Sequence, residues 1–180
     1  MRFFLLIPIS LSILSSCITP LSDKDREPEK IIISTDLEQP DSLMAEDPNT
    51  WKNLQTVIEG KAFSGTKACK LDQNNEFGVV FEQRFGYIAE NNPRQFTFNA
   101  MIYAAEPLPI GYVVASIGTT AYYRNYSITE FVPKAQKWEK VSATFTLPDS
   151  LKPSDILKVY LWNKKQSEFW ADDISLEFEF

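Results

Sequence analysis

The feature that most constrains this 180-residue chain is a repeated alternation of apolar and polar residues. Side chains on a β-strand point to its two faces in turn, so a period of two predicts strands with one buried face. The alternation and β-branched runs are strongest at Phe77–Glu82, Phe96–Tyr103, Tyr112–Ile117, Val141–Leu147, Leu157–Trp162 and Ile174–Phe180. Shorter candidates lie at 31–34, 54–59, 119–123 and 126–132. No stretch keeps an apolar helical stripe over three turns, so any helix is expected to be short.

About ten strands with one apolar face each predict two antiparallel sheets packed face to face. We therefore expect a single all-β sandwich over residues 31–180. In this register Phe77, Val79 and Phe81 point inward together. The last strand is expected to end at Phe180, which would build the C-terminus into a sheet.

The chain contains no histidine, and its formal net charge is −6. It therefore cannot use a Ser-His-Asp triad, an imidazole base or a histidine-ligated metal. The acidic balance, with no basic patch in the sequence, argues against a nucleic-acid partner. No other catalytic signature is present. Adjacent Asp172 and Asp173 would point to opposite strand faces and could not act on one bond, and we expect no enzyme activity.

The N-terminus carries the signals of an exported protein. Arg2 is followed by an apolar stretch from Phe3 to Leu14, which has the length of a secretory signal and is too short to span a bilayer. The segment ends Leu14-Ser15-Ser16-Cys17, which resembles the lipobox of bacterial lipoproteins. That resemblance implies cleavage before Cys17 and acylation of its thiol. An ordinary signal peptide with a coincidental cysteine is the alternative.

These signals divide the chain into a signal peptide (1–16), a lipidated Cys17 with a flexible tether (17–30), and the sandwich (31–180). The lipid bilayer is thus an expected partner through Cys17. Residue 18 is isoleucine and not aspartate. The chain lacks the retention signal of inner-membrane lipoproteins, so we expect an outer-membrane location. Cys69 would then have no intramolecular partner, and its alternation with lysines predicts a buried structural thiol.

Three segments resemble the galactose-binding-like jelly rolls, a superfamily that includes many carbohydrate-binding modules. Phe63–Leu71 is similar to a Ser-Gly-x-x-Ala-Leu-Lys-Val segment, Trp138–Pro148 to a Trp-x-x-Val-Ser…Phe-x-Leu-Pro strand, and Phe169–Leu176 to a Tyr-Ile-Asp-Asp-Val-x-Leu close. They occur in the expected order and cover roughly residues 31–180. The resemblance implies a sandwich of jelly-roll type.

The same resemblance implies a structural Ca²⁺ site at one edge of the sandwich. Its carboxylates would be Asp36 or Glu38 together with Asp172, and its carbonyls would lie within Ser64–Lys67. Oxygen-only ligands suit calcium and need no histidine. In the strand register, Asp172 shares a face with Ile174 and therefore points inward, where a carboxylate needs a partner. Backbone N–H groups with Lys67 or Lys70 are the alternative to a cation.

A ligand platform is predicted on the outward faces of two strands. Tyr160 and Trp162 lie opposite the apolar positions of their strand, as do Tyr103 and Asn99 on another. If both strands belong to one sheet, aromatic rings and polar groups share one face, which suits a sugar. The alternative is that aromatic residues simply favour strands and are covered by a loop or partner. A second cluster, Tyr122–Tyr126, is expected in a loop or edge strand.

Together these observations predict a non-catalytic, membrane-anchored lipoprotein that recognises a glycan through an aromatic-lined face. The alternative is a structural or accessory lipoprotein that binds another envelope protein through the same face. Aromatics in an open groove would favour the glycan. A flat apolar patch, or one plugged by residues 40–60, would favour the protein.

Overall fold

The computed structural model describes residues 30–46, 50–118, 122–164 and 167–180. The predicted signal peptide, Cys17 and almost all of the tether lie outside these residues. The described strands are β1 Lys30–Thr35, β2 Trp51–Lys52, β3 Val57–Glu59, β4 Lys67–Leu71, β5 Phe77–Arg84, β6 Gln95–Ala104, β7 Tyr112–Ile117, β8 Tyr122–Ser127, β9 Trp138–Thr146, β10 Ile156–Trp162 and β11 Phe169–Glu179. Two short helices, α1 Pro40–Glu46 and α2 Phe85–Ile88, accompany them. In the part of the chain described, no helix has the length and apolarity to cross a membrane.

The strands form two antiparallel sheets, which confirms the predicted all-β sandwich. The six-stranded sheet has the order β3-β4-β11-β6-β9, with β1 also paired to β11, and the five-stranded sheet has the order β2-β5-β10-β7-β8. All six strongly patterned stretches are strands. Of the shorter candidates, 54–59 divides into a 3-10 turn and β3. The stretch 126–132 is wrong as a strand, because β8 ends at Ser127. Residues 119–121 lie outside the description.

The core lies between the sheets and is dominated by phenylalanine. Phe96 stacks on Phe145 with ring centroids 4.9 Å apart, and Phe178 lies 5.6 Å from Phe96 and 6.3 Å from Phe81. All four are 0–1% exposed. Burying each such ring contributes about 1.5–3 kcal/mol, so this cluster joins the two sheets firmly. Cys69 is also fully buried, as predicted, and desolvation raises the pKa of its thiol to about 11.

A bulge in β5 overturns one predicted orientation. Val80 pairs with Tyr160 but Phe77 pairs with Trp162, so β5 has one more residue than β10 between these points. The extra residue moves Phe77 to the outer face, where it is 43% exposed, although the simple alternation predicted it inward. Gly78 turns inward instead, and a Cβ there would lie 3.1 Å from Sγ of Cys69.

A second bulge, in β11, corrects the predicted direction of Asp172. Asp172 pairs with Met101, and three residues later Ser175 pairs with Asn99, two residues earlier on β6. The extra residue is accommodated where Asp173 has a positive φ of 47°. Asp172 therefore lies in register with the outer face and does not share a face with Ile174. It is nevertheless 0% exposed, because a loop covers that face.

Candidate functional site

The outer face of the five-stranded sheet carries an open groove of about 670 Å³, here called the aromatic groove. Tyr160 of β10 and Val80 of β5 lie on its floor, as their pairing and their common outward register require. Residues 52–56 and 74–77 contribute its sides. Since residues 52–56 line the groove without filling it, they do not plug this face.

Three aromatic rings follow one another across neighbouring strands. Phe77 of β5 stacks on Trp162 of β10 at 6.4 Å and an interplanar angle of 16°, and Trp162 lies 5.7 Å from Tyr112 of β7. Phe77 also meets Tyr160 edge to face at 5.7 Å. The row results directly from the β5 bulge, because Phe77 would otherwise point into the core. Within this row Phe77 is exposed, and Trp162 and Tyr112 are partly buried.

Polar contacts fix this row of rings in place. Nε1 of Trp162 donates a hydrogen bond to Oε1 of Glu76 at 2.8 Å, which orients the indole. Nδ2 of Asn53 donates to the backbone oxygens of Phe77 and Gly78 at 2.6 and 2.8 Å, which ties the groove wall to the bulge. The ammonium of Lys164 lies 5.6 Å from the Trp162 ring centroid. The rings are thus held in position before any ligand arrives.

The opposite end of the groove is charged. Glu82 accepts hydrogen bonds from Lys52 at 2.6 Å and from Lys158 at 2.8 Å, one at each carboxylate oxygen. Burial pushes the pKa of Glu82 upward, but the two lysines outweigh it and hold the pKa below its ordinary value. Arg84 lies on the same outer face beyond them. Val80, Glu82 and Arg84 occupy every second position of β5 and therefore lie on the same face.

The four predicted ligand residues do not form one platform. Tyr160 and Trp162 lie in β10 of the five-stranded sheet, whereas Tyr103 and Asn99 lie in β6 of the six-stranded sheet, on the other side of the core. Alternation indicates the face of a strand and does not indicate which sheet the strand joins. The condition under which all four residues would share one face, that both strands belong to one sheet, is therefore not met.

A loop at residues 60–66, here called the covering loop, lies against the outer face that carries Tyr103. The Lys61 ammonium lies 3.9 Å from the Tyr103 ring centroid, and Trp138 lies 5.6 Å from Tyr103. Phe63 meets Trp138 edge to face at 5.9 Å. Farther along β6, Oδ1 of Asn99 accepts a hydrogen bond from Ser142. Phe63, Trp138 and Tyr103 thus form a second row of rings, which differs from the first in that one ring belongs to the covering loop and the Lys61 ammonium lies over Tyr103.

Two carboxylates hold the covering loop by its backbone. Oδ2 of Asp172 accepts from the N–H groups of Phe63 and Ser64 at 2.8 and 3.0 Å. Oε1 of Glu38 accepts from the N–H groups of Thr66 and Lys67 at 2.9 and 2.7 Å. The bonds from Lys67 and Thr66 lower the pKa of Glu38, whereas desolvation raises the pKa of Asp172 in spite of its N–H donors.

This arrangement does not fit a calcium ion as the jelly-roll resemblance implied it. Glu38 and Asp172 face N–H donors, whereas a cation would need further oxygens there. The carbonyl of Thr66, one of the predicted ligands, accepts a hydrogen bond from the Gly60 N–H at 3.1 Å. Asp36 is exposed and accepts a bond from the Glu38 N–H. Among the described residues no group of three acidic or cysteine side chains could hold a metal. Calcium binding stays a prediction.

Sequence reasoning identified Tyr160 and Trp162 but missed Phe77, Glu76 and the Glu82 ion pairs. A glycine within a strand pattern is a known sign of a bulge, so Gly78 was the available signal for Phe77. Alternation alone could place Glu82 and Lys158 outward. It could not show that they are cross-strand partners, which requires the register of β5 on β10.

No protein-family model and no curated protein matches the chain. Solved structures do match. The CBM22-1 xylan-binding domain of Xyn10C from Paenibacillus barcinonensis is 11% identical, with a TM-score of 0.51, covering 86% of this chain and 98% of that domain. The CBM22-1–CBM22-2 tandem domain of the same protein is 14% identical with a TM-score of 0.52, covering 82% of this chain and 50% of the tandem.

The chain spans only 26% of a third match, the CBM22-1–GH10 modules of Clostridium thermocellum xylanase Xyn10B with xylohexaose, at 11% identity, a TM-score of 0.45 and 73% coverage of this chain. The Paenibacillus domains confirm the jelly-roll sandwich that carbohydrate-binding modules share. At such low identity the likeness concerns the fold, and the function has to be argued from the groove.

Proposed function

We propose that this protein is a non-catalytic, membrane-anchored binding protein that recognises a glycan in the aromatic groove. The observation that carries the proposal is the open groove lined by Phe77 and Tyr160, beside which Trp162 and Tyr112 continue the row of rings. A sugar ring stacks its C–H face on an aromatic ring, while its hydroxyls need hydrogen-bonding partners beside the ring. The groove supplies both kinds of group.

The polar residues of the groove favour reversible binding. Glu76 uses one carboxylate oxygen to hold Trp162, and no other described residue donates to the second oxygen, which is available to a sugar hydroxyl. Asn74 and Asn75 line the same side, in a turn whose backbone N–H groups donate to Asp72. Because the rings are already fixed, little side-chain freedom is lost when a ligand binds.

The acids of the groove favour a non-catalytic role. Glycoside hydrolysis needs one carboxylic acid with a raised pKa opposite a second carboxylate. Glu82 has the opposite property, a lowered pKa, because Lys52 and Lys158 hold its charged form. Glu76 serves Trp162. Neither side chain is placed as a proton donor to a glycosidic oxygen.

We propose further that Cys17 carries the lipid and anchors the protein in the outer membrane of a bacterial envelope. The lipobox and the absence of Asp at position 18 support this. Residues 18–29 lie between the proposed anchor and β1, and 12 extended residues reach at most about 42 Å, at about 3.5 Å each. Such a tether would allow the groove to meet glycans at some distance from the bilayer.

A glycan-array screen tests the binding proposal, using the purified protein in detergent. We expect binding to at least one glycan class, and loss of that binding in Trp162→Ala because the central ring of the row is removed. Trp138→Ala on the opposite face is the matched control and should keep binding. Absence of binding to every glycan would favour the alternative, an accessory protein that contacts another envelope protein.

A further inference from the structure

The charged end of the aromatic groove continues into a neighbouring depression. Lys52 and Glu82 line both the groove and a second cavity of about 360 Å³, which Arg84 and Tyr87 also line. The four charged side chains at this end are here called the basic end: Lys52, Glu82, Arg84 and Lys158. A ligand lying along β10 over Tyr160 would reach the basic end without leaving the face.

The basic end carries three cations and one anion. Glu82 is shared by Lys52 and Lys158, so its single charge neutralises only one of the two ammonium groups. Arg84 is exposed and makes no ion pair with any residue that the structure describes. These four side chains together therefore carry two excess positive charges, on a chain whose formal net charge is −6. A local cluster of positive charge on a negatively charged protein produces an electrostatic field that attracts anions.

The other charges of the groove do not cancel this excess. Glu76 and Lys164 lie at the Trp162 end and balance each other. Lys158 and Trp162 are four residues apart along β10, which corresponds to a distance of about 13 Å at about 3.3 Å per residue. That separation exceeds the Debye length of about 8 Å at physiological salt, so Glu76 is screened from the basic end.

The cations of the basic end are positioned for hydrogen bonding. Each lysine ammonium has three donors and the Arg84 guanidinium has five, in a fork that matches two oxygens of one anion. Glu82 uses one donor of each lysine, and the lysine side chains remain 43% and 47% exposed. The shared carboxylate also restrains both lysines, so part of the entropic cost of ordering them is already met.

We infer that the glycan bound in the aromatic groove is acidic and that its anionic substituent, a carboxylate or a sulfate ester, contacts the basic end. This inference rests on the proposed function, because it names the ligand class of the same groove. Sugar rings would stack on the aromatic row while the anion meets Arg84 and the lysines. A neutral sugar would stack on the rings equally well, but the two excess positive charges would have no anionic partner.

The test uses the full chain in detergent and paired probes. Polygalacturonate is compared with its fully methyl-esterified form, and dextran sulfate with dextran, so that carboxylate and sulfate are separated from their neutral counterparts. We expect selective binding of the anionic member of at least one pair, with weakening as salt rises from about 0.05 M to about 0.5 M. Arg84→Gln should weaken that binding about tenfold, since it removes charge-assisted hydrogen bonds without freeing a buried partner.

Lys140→Gln is the matched control, because Lys140 is an exposed cation on the opposite sheet. It should leave binding unchanged. Equal binding of neutral and anionic members, lost in Trp162→Ala but not in Arg84→Gln, would overturn the acidic-ligand inference and leave the proposed function standing. Absence of binding by any glycan on the array would overturn both. Binding of phosphatidylglycerol vesicles through Arg84, with no glycan bound, would also overturn the inference.

Discussion

The two outer faces of the sandwich are built from similar sequence patterns and differ in what covers them. Both strands β6 and β10 alternate buried apolar residues with outward polar and aromatic ones. On the six-stranded sheet the covering loop lies over Tyr103 and Trp138. On the five-stranded sheet Phe77 is 43% exposed and lines the open groove with Tyr160, and Trp162 and Tyr112 continue the row beside it.

The difference shows that exposure of an aromatic strand face is decided by loops and bulges. Asp172 and Glu38 attach the covering loop through three of its backbone N–H groups and that of Lys67, which follows it. The bulge at Gly78 adds a ring to the open face by turning Phe77 outward. Neither device can be read from the alternation of the sequence, and together they give the two outer faces different surfaces.

Removing the Asp172 carboxylate should produce the largest effect on the covered face. In Asp172→Ala the N–H groups of Phe63 and Ser64 lose their acceptor beneath the covering loop. Each buried N–H left unpaired costs about 1–3 kcal/mol, and we expect a loss of about 2 kcal/mol in the free energy of unfolding. Urea denaturation measures it.

Asp36→Ala is the control for this variant, because Asp36 is exposed and accepts one hydrogen bond. It should change the stability by less than about 0.5 kcal/mol. Glycan binding should survive in Asp172→Ala, since the groove is on the other sheet. A fully stable Asp172→Ala protein would show that the loop is held by something other than this carboxylate.

The Glu38 attachment should make part of the stability dependent on pH. Its folded pKa is lowered from an ordinary 4.5 by the N–H groups of Lys67 and Thr66. Its contribution is therefore complete above about pH 4.5 and is lost as the pH falls through the folded pKa. The stability difference between wild type and Glu38→Gln, from urea titrations, should shrink in acid. Asp172, with a raised pKa, acts in the opposite direction. A difference that stays constant down to pH 3 would contradict the Glu38 assignment.

Chelation should have the smallest effect, because backbone N–H groups already bind Glu38 and Asp172, two of the three carboxylates predicted for the calcium site. We expect the melting temperature to be unchanged by a chelator and by added Ca²⁺, as measured by calorimetry. A fall of several degrees with chelator, reversed by Ca²⁺, would instead support the calcium prediction and require the covering loop to rearrange around Glu38 and Asp172.

The fold could be predicted because alternation is a local property. The alternation indicates which residues face the core in the stretches Phe96–Tyr103 and Leu157–Trp162. Strands with one apolar face are buried when two sheets pack against each other. The site was harder because it depends on strand pairing. Tyr103 and Trp162 are both outward, and only the sheet order separates them.

Bulges account for the remaining errors. One extra residue in β5 reverses Phe77, and one in β11 reverses Asp172. Strict alternation contains no inserted residue. When it is continued through a bulge, the side chains on the far side are assigned to the wrong face of the strand. The buried state of Asp172 was predicted correctly, but for a different reason, since the covering loop buries it.

The most direct test of the account compares Trp162→Ala with Trp138→Ala in a titration against the glycan that the array identifies. Both variants remove one indole from an outer face, one stacked on Phe77 beside the open groove and one in contact with Phe63 of the covering loop. We predict that Trp162→Ala weakens binding at least about tenfold and that Trp138→Ala does not. Loss of binding in Trp138→Ala, with Trp162→Ala unaffected, would place the site on the six-stranded sheet and contradict the account.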